Sequence, residues 1–217
     1  METPKPFLPK KGNYKGLIAY QKAEIIYDIT FFFANKFFDK KDRTIDQMVQ
    51  AARSGKQNIA EGSAAGATSS ETEIKLTNVA RASLQELLDD FEDYLRVRGL
   101  EQWSLRDERT RQTQAFCNTH NNSSDYLSVL QNRSDETIAN IAITLIHQED
   151  VMLRKLLERL QKDFMELGGI KEQMTAARLG FRHGQKEEIE QLTNQNNRLL
   201  QRVKYLEELL TKAGISY

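Results

Sequence analysis

The sequence predicts an all-α protein: an antiparallel four-helix bundle followed by a C-terminal coiled-coil helix. Three observations carry this. All three prolines, Pro4, Pro6 and Pro9, lie near the amino end, and none follows in a chain of 217 residues. Proline removes a backbone donor and clashes inside a helix, so its absence leaves long helices unobstructed. Between residues 17 and 167, apolar side chains recur at three- and four-residue spacing in four long runs. Near the C-terminus the spacing becomes a strict heptad.

Residues 1–16, with their prolines, lysines and two glycines, read as an N-terminal tail. The first helix is expected over 17–38, with Ile18, Ile25, Ile29, Phe32 and Phe33 in helical register. Its end, ITFFFANKFF, is apolar on more than one side, which calls for a second partner surface. The second helix begins near Thr44, where TIDQ fits a capping box of Thr44 and Gln47. The third begins near Ser70, where SETE repeats the device with Glu73. Leu76, Ala80, Leu84, Leu87, Phe91 and Leu95 then hold the period to Gly99, a C-terminal stop. Residues 104–131 form a polar insertion, a short polar helix followed by the loop CNTHNNSSD. The fourth long helix runs from Ser134 to Leu167, with Ile138, Ile141, Ala142, Leu145, Met152, Leu156, Leu160 and Phe164 on one face. Four such helices in one block are most simply packed as a bundle over 17–167.

Residues 168–184 read as a linker, and 185–213 as the coiled-coil helix. Its seam is Ile189, Leu192, Asn196, Leu199, Val203, Leu206 and Leu210. Asn196 occupies an a position, where a buried amide costs stability but specifies register and favours a parallel dimer. Arg202 at g and Glu207 at the next e position suit pairing across two parallel chains. The other reading of this segment is a helix folded back on the bundle.

The second helix has an unusual composition. QAARSGKQNIAEG, residues 50–62, has few large apolar side chains. At about 100° per residue, Ile45, Met48, Val49, Ala52 and Ile59 form a core stripe. Ala51, Gly55, Asn58 and Gly62 form a neighbouring stripe of small residues that admits a closely packed backbone. Arg53, Gln57 and Glu61 form a polar row at i, i+4 and i+8. Lys56 projects near the apolar stripe and must snorkel. These faces serve either internal packing and solvent, or contact with another subunit or a nucleic acid.

QAARSGKQNIAEG, a Ser/Thr-Glu cap and the helix IKLTNVARASLQELLDDFEDYL together resemble the bacterial four-helix bundle family. That family includes the protein encoded by intervening sequences of large-subunit ribosomal RNA genes. It also includes the accessory variability protein of diversity-generating retroelements. The resemblance covers 44–97 well and 17–167 in outline, and extends to long Bacteroides-type variants with a C-terminal extension. It implies a homo-oligomer, a pentameric ring, and binding of RNA or DNA and a reverse transcriptase through basic surface. Two features lie outside the family pattern. The accessory proteins are basic, whereas Lys+Arg and Asp+Glu both number 31 here. The heptad tail and the 104–131 segment are also additional.

A net charge of zero gives no global pull toward nucleic acid or an acidic membrane, so any basic surface is local. The candidate phosphate contacts are Arg43, Arg53, Lys56, Lys75 and Arg81, with Arg96 and Arg98 at the far end of the third helix. The candidate oligomer interface is Ala51, Gly55, Asn58, Gly62, Phe32 and Phe33. The single cysteine, Cys117, excludes an intrachain disulfide framework. Cys117 and His120 make C-x-x-H, but no second pair completes a zinc site, so no metal or cofactor is expected. His147 lies on the fourth helix, with Glu149 two residues on and pointing elsewhere. No nucleophile triad, phosphate-cradling glycine loop or di-iron repeat is legible, so the protein is not expected to be an enzyme. With no signal segment or membrane span apparent, a cytoplasmic location is expected. Two function classes remain: a nucleic-acid-binding accessory, or a protein-binding scaffold that self-assembles through the bundle and the tail.

Overall fold

The structure is a computed structural model and describes residues 13–214, which are all-helical apart from turns and connectors. Of the proposed tail at 1–16, residues 1–12 lie outside the described residues. After a 3-10 turn at Tyr14–Gly16, the α-helices are α1 (Ile18–Phe37), α2 (Thr44–Ala65), α3 (Ser70–Arg98), α4 (Glu108–Thr119), α5 (Ser123–Leu130), α6 (Asp135–Leu167) and α7 (Ile170–Lys212). Two compact units divide after Ile170.

In the first unit, α1 and α3 each pack against both α2 and α6. The shorter α4 packs on α6, and α5 on α1. Apolar side chains in helical register cause this, because each long helix must bury its stripe against neighbours. Ile25, Ile29, Met48, Ile59, Leu84, Leu87, Ile138 and Leu145 are buried in the common core. An aromatic cluster joins α1 to α3, with the Phe33 ring 5.1 Å from Phe91 and 4.7 Å from Tyr94. On α6 the buried register is Leu145, Glu149, Leu153 and Leu157, whereas Met152 and Leu156 are only half-buried.

The helix ends refine the predicted caps. Ahead of α2, the Asp42 carboxylate accepts from the Thr44 amide at 2.9 Å, so Asp42 does the work expected of Thr44. Ser69, not Ser70, caps α3 and accepts from the Thr72 amide. Glu73 instead reaches Gly66, where an added Cβ would overlap its carboxylate. Gly99 ends α3 in the left-handed region (φ 66°), and the Leu100 amide donates back to the Leu95 carbonyl. Ser134 caps α6.

Two expectations for the insertion and the linker are corrected. The CNTHNNSSD stretch is mostly helical, contributing the end of α4 and the start of α5 with only 120–122 between them. Its helix-forming faces become usable once they cover α6 and α1. Residues 168–184 are also helical from Ile170 onward, since no proline interrupts α7. In the second unit, α7 runs 43 residues and none of them is buried. Among the described residues, no helix is long and apolar enough to cross a membrane.

Candidate functional site

The small-residue stripe of α2 faces α3 within the same subunit, which corrects its assignment to an oligomer interface. Ala51, Gly55 and Gly62 are buried there. A Cβ on Gly55 would lie 2.7 Å from Leu84 Cδ2, and one on Gly62 would lie 3.3 Å from Leu76 Cβ. Asn58 turns back on its own helix, its amide donating to the Ser54 carbonyl at 2.9 Å. The Ser54 hydroxyl meets that of Ser83 on α3 at 2.9 Å. Phe33, also assigned to the interface, is a core residue with no exposed surface. The exposed aromatic of this end of α1 is Phe31 (52% exposed). With Tyr27, Phe32 and Leu127 of α5 it lines a shallow apolar cleft.

The seven candidate phosphate contacts do not form one patch. Arg81 is held by Asp150, Nε to Oδ1 at 2.6 Å, and Asp150 also takes Arg154. Arg96 pairs with Asp93 one turn back. The Arg98 guanidinium lies over the Tyr94 ring at 3.8 Å. Lys56 does snorkel, placing its ammonium 4.3 Å from the centre of the Tyr27 ring. Arg53 opens into a cleft that it shares with Asp46, Glu86 and Asp90. Burial raises the Asp90 carboxyl first, and its neighbours Asp89, Asp93 and Glu86 raise it further. Arg43 and Lys75 are exposed. Lys75 and Arg98, both on α3, are separated by about 35 Å at 1.5 Å per residue. The row on α2 forms only its second step, Gln57 to Glu61 at 3.1 Å.

The heptad seam is intact and open. Ile189, Leu192, Asn196, Leu199, Val203 and Leu206 are exposed along α7, and Leu210 is partly so. No family model, curated protein or solved structure matches this chain.

One constellation was missed by sequence reasoning. Lys22 on α1 is buried, and its ammonium donates to the Cys117 carbonyl and, at 2.6 Å, to that of His120. The Tyr126 hydroxyl donates to the same His120 carbonyl at 3.0 Å. The His120 ring stacks on Phe116, with centroids 3.8 Å apart. Glu149 on α6 is fully buried, and among the described residues neither of its carboxyl oxygens has a hydrogen-bond partner. Burial raises its pKa well above the ordinary carboxyl range, with the Lys22 charge opposing. Burial likewise lowers Lys22 and raises the Cys117 thiol. So Cys117 and His120 are not a polar loop. Their backbone ends α4 over a buried cation. A signal was present: Lys22 and Glu149 both fall in phase with the apolar stripes of their helices, and charge there demands an internal partner.

Proposed function

We propose that this chain is a non-catalytic homo-oligomeric accessory protein that binds nucleic acid and assembles through a parallel coiled coil of α7. In this reading α1, α2, α3 and α6 form an antiparallel four-helix bundle as the body. The observation that carries the proposal is the exposed heptad seam on a helix with no buried residue. Apolar burial stabilises by about 1.5–3 kcal/mol per fully buried Leu, Ile or Val. A long helix gains most of its stability from a packed face rather than from propensity. Asn196 at a, and Arg202 facing Glu207 across the pair, favour two parallel strands.

The nucleic-acid part is supported by the resemblance of residues 44–97 to the intervening-sequence and retroelement accessory proteins. The same resemblance supports a reverse transcriptase partner, whereas the five-fold ring it implies does not match a two-stranded coil and is the competing assembly, built on the body. A scaffold without nucleic acid is the second reading. It is favoured by Arg81, Arg96 and Arg98, which are already engaged inside the subunit.

Light scattering of the full chain at micromolar concentration tests the assembly. A mass of two subunits is expected, reduced to one by Leu199→Glu with Leu206→Glu, since both are d positions. A wild-type monomer overturns the assembly reading. A pentamer that survives both substitutions assigns assembly to the body instead. Salt-dependent binding of RNA or DNA separates the two readings, because neutralised phosphates release counterions and a scaffold has none to release.

A further inference from the structure

The charge of α7 is unevenly placed. Between Ile170 and Lys186 it carries Lys171, Arg178, Arg182 and Lys186 against the single acid Glu172. All four cations are exposed, and among the described residues none is held in an ion pair. At 100° per residue they fall in one sector about 80° wide. That sector is the seam itself, continued backward. Counting heptads upstream from Ile189 puts Lys171 and Arg178 at d, Thr175 and Arg182 at a, and Gln185 at d.

In a parallel pair, each a or d residue faces its own copy. Arg182 would meet Arg182, and Arg178 would meet Arg178. Like charges at facing positions repel, so the seam that closes from Ile189 onward cannot close above it. The two helices must separate there, with their cations on the inner sides of the fork. We infer that residues 171–186 of two paired chains are basic arms that straddle a B-form DNA duplex and contact its phosphates. A helical zipper continuous with diverging basic segments on its N-terminal side is the geometry by which zipper dimers fork across the major groove. This inference rests on the parallel coiled coil proposed above.

The chemistry favours duplex DNA over the other polyanions. The B-form major groove is about 12 Å wide and admits a helix. The A-form major groove of RNA is deep and narrow and does not. An interfacial membrane helix carries its cations on a polar face opposite a broad apolar one. Here Met174, Ala177 and Phe181 lie on one side of the cations and the exposed Leu179 on the other, so no broad apolar face stands opposite them. Gly180 and Gly184 lie within the arm, and a Cβ on either would meet open space. Each glycine costs about 1 kcal/mol of helix stability relative to alanine. The arm is therefore the weaker part of the free helix, and ordering it on contact keeps affinity moderate.

The test is anisotropy of a labelled duplex of about 30 base pairs, titrated with the full chain between about 50 and 200 mM salt. Each phosphate contact contributes about 0.9 to the slope of log affinity against log salt, so eight cations per dimer give a slope of up to about 7. Arg178→Ala with Arg182→Ala removes four of them. Affinity should fall at least about tenfold and the slope by about 3–4. Light scattering should still give two subunits and helicity should not fall, since alanine relieves the repulsion and favours the helix, which shows that the variant still folds and pairs. Leu199→Glu with Leu206→Glu should lose both pairing and binding. A wild-type dimer that does not bind the duplex overturns the arms and leaves the assembly reading intact. A wild-type monomer overturns both. An unchanged slope in the Arg178/Arg182 variant overturns the arms, as does tighter binding to A-form RNA or to phosphatidylserine vesicles.

Discussion

Gly55 is the residue on which the α2–α3 approach depends. Its missing Cβ would sit 2.7 Å from Leu84 Cδ2 and 2.8 Å from Leu84 Cγ. Leu84 is buried, so its branch point cannot move aside freely. Gly55→Ala should therefore destabilise the subunit by about 1–3 kcal/mol, lowering Tm by roughly 2–10 °C in a thermal melt. Oligomer mass should not change, because the contact is internal. A changed mass with an unchanged Tm would return the stripe to an intersubunit role. Glu149 makes the second residue-scale prediction. Burial raises its folded pKa above the unfolded value, so the folded chain holds a proton that the unfolded chain releases. Its contribution is fully present below the unfolded carboxyl pKa and is lost as pH rises through the raised folded value. Glu149→Gln keeps the volume and removes this titration. Circular-dichroism melts from about pH 5 to about pH 8 should show a Tm that falls less in the variant than in wild type. At the upper end of that range the variant should be at least as stable. A variant that is less stable across the range would show Glu149 to be an indispensable partner of Lys22.

At the scale of the element, α7 differs from the others in how it is stabilised. Helices α1, α2, α3 and α6 each bury several side chains, whereas α7 buries none. Among the described residues, every buried hydrophobic lies at or before Leu157. Ending the chain at Ile170 should thus leave the body folded, with stability within about 0.5 kcal/mol of the parent. Mass by light scattering should fall to one subunit. If it stays oligomeric, the cleft of Tyr27, Phe31, Phe32 and Leu127 becomes the leading interface. The caps show how closely an element end can be placed from sequence. Ser69 and Ser70 offer the same hydroxyl to the start of α3. The extended backbone of Ser69 (φ −158°) aims its oxygen at the Thr72 amide.

At the scale of the whole molecule, the sequence by itself determined the four long helices of the body, their order and the heptad part of α7, but neither α5 nor the start of α7. Helical periodicity is local, so it can be read along the chain before any neighbouring helix is known. It also determined the seam of α7, because a heptad repeat is a pattern along one helix. Tertiary structure decided what each face meets. Gly55 and Gly62 read as a contact stripe, but only the approach of α3 showed that the partner lies within the subunit. Phe31 and Phe33 are equally apolar in sequence, and the packing of Phe91 and Tyr94 around Phe33 decided which one is buried. For the Lys22 cluster, the sequence records only that Lys22 and Glu149 need internal partners, not which groups they meet. Its partners come from α4, α5 and α6, about a hundred residues away, and nothing local records that they meet. Arg81 and Asp150 likewise belong to different helices, so the pairing that occupies this arginine exists only in the folded subunit. Periodicity fixes which side of a helix is apolar or charged. Only the position of the neighbouring helices settles whether that side becomes core, ion pair or open surface.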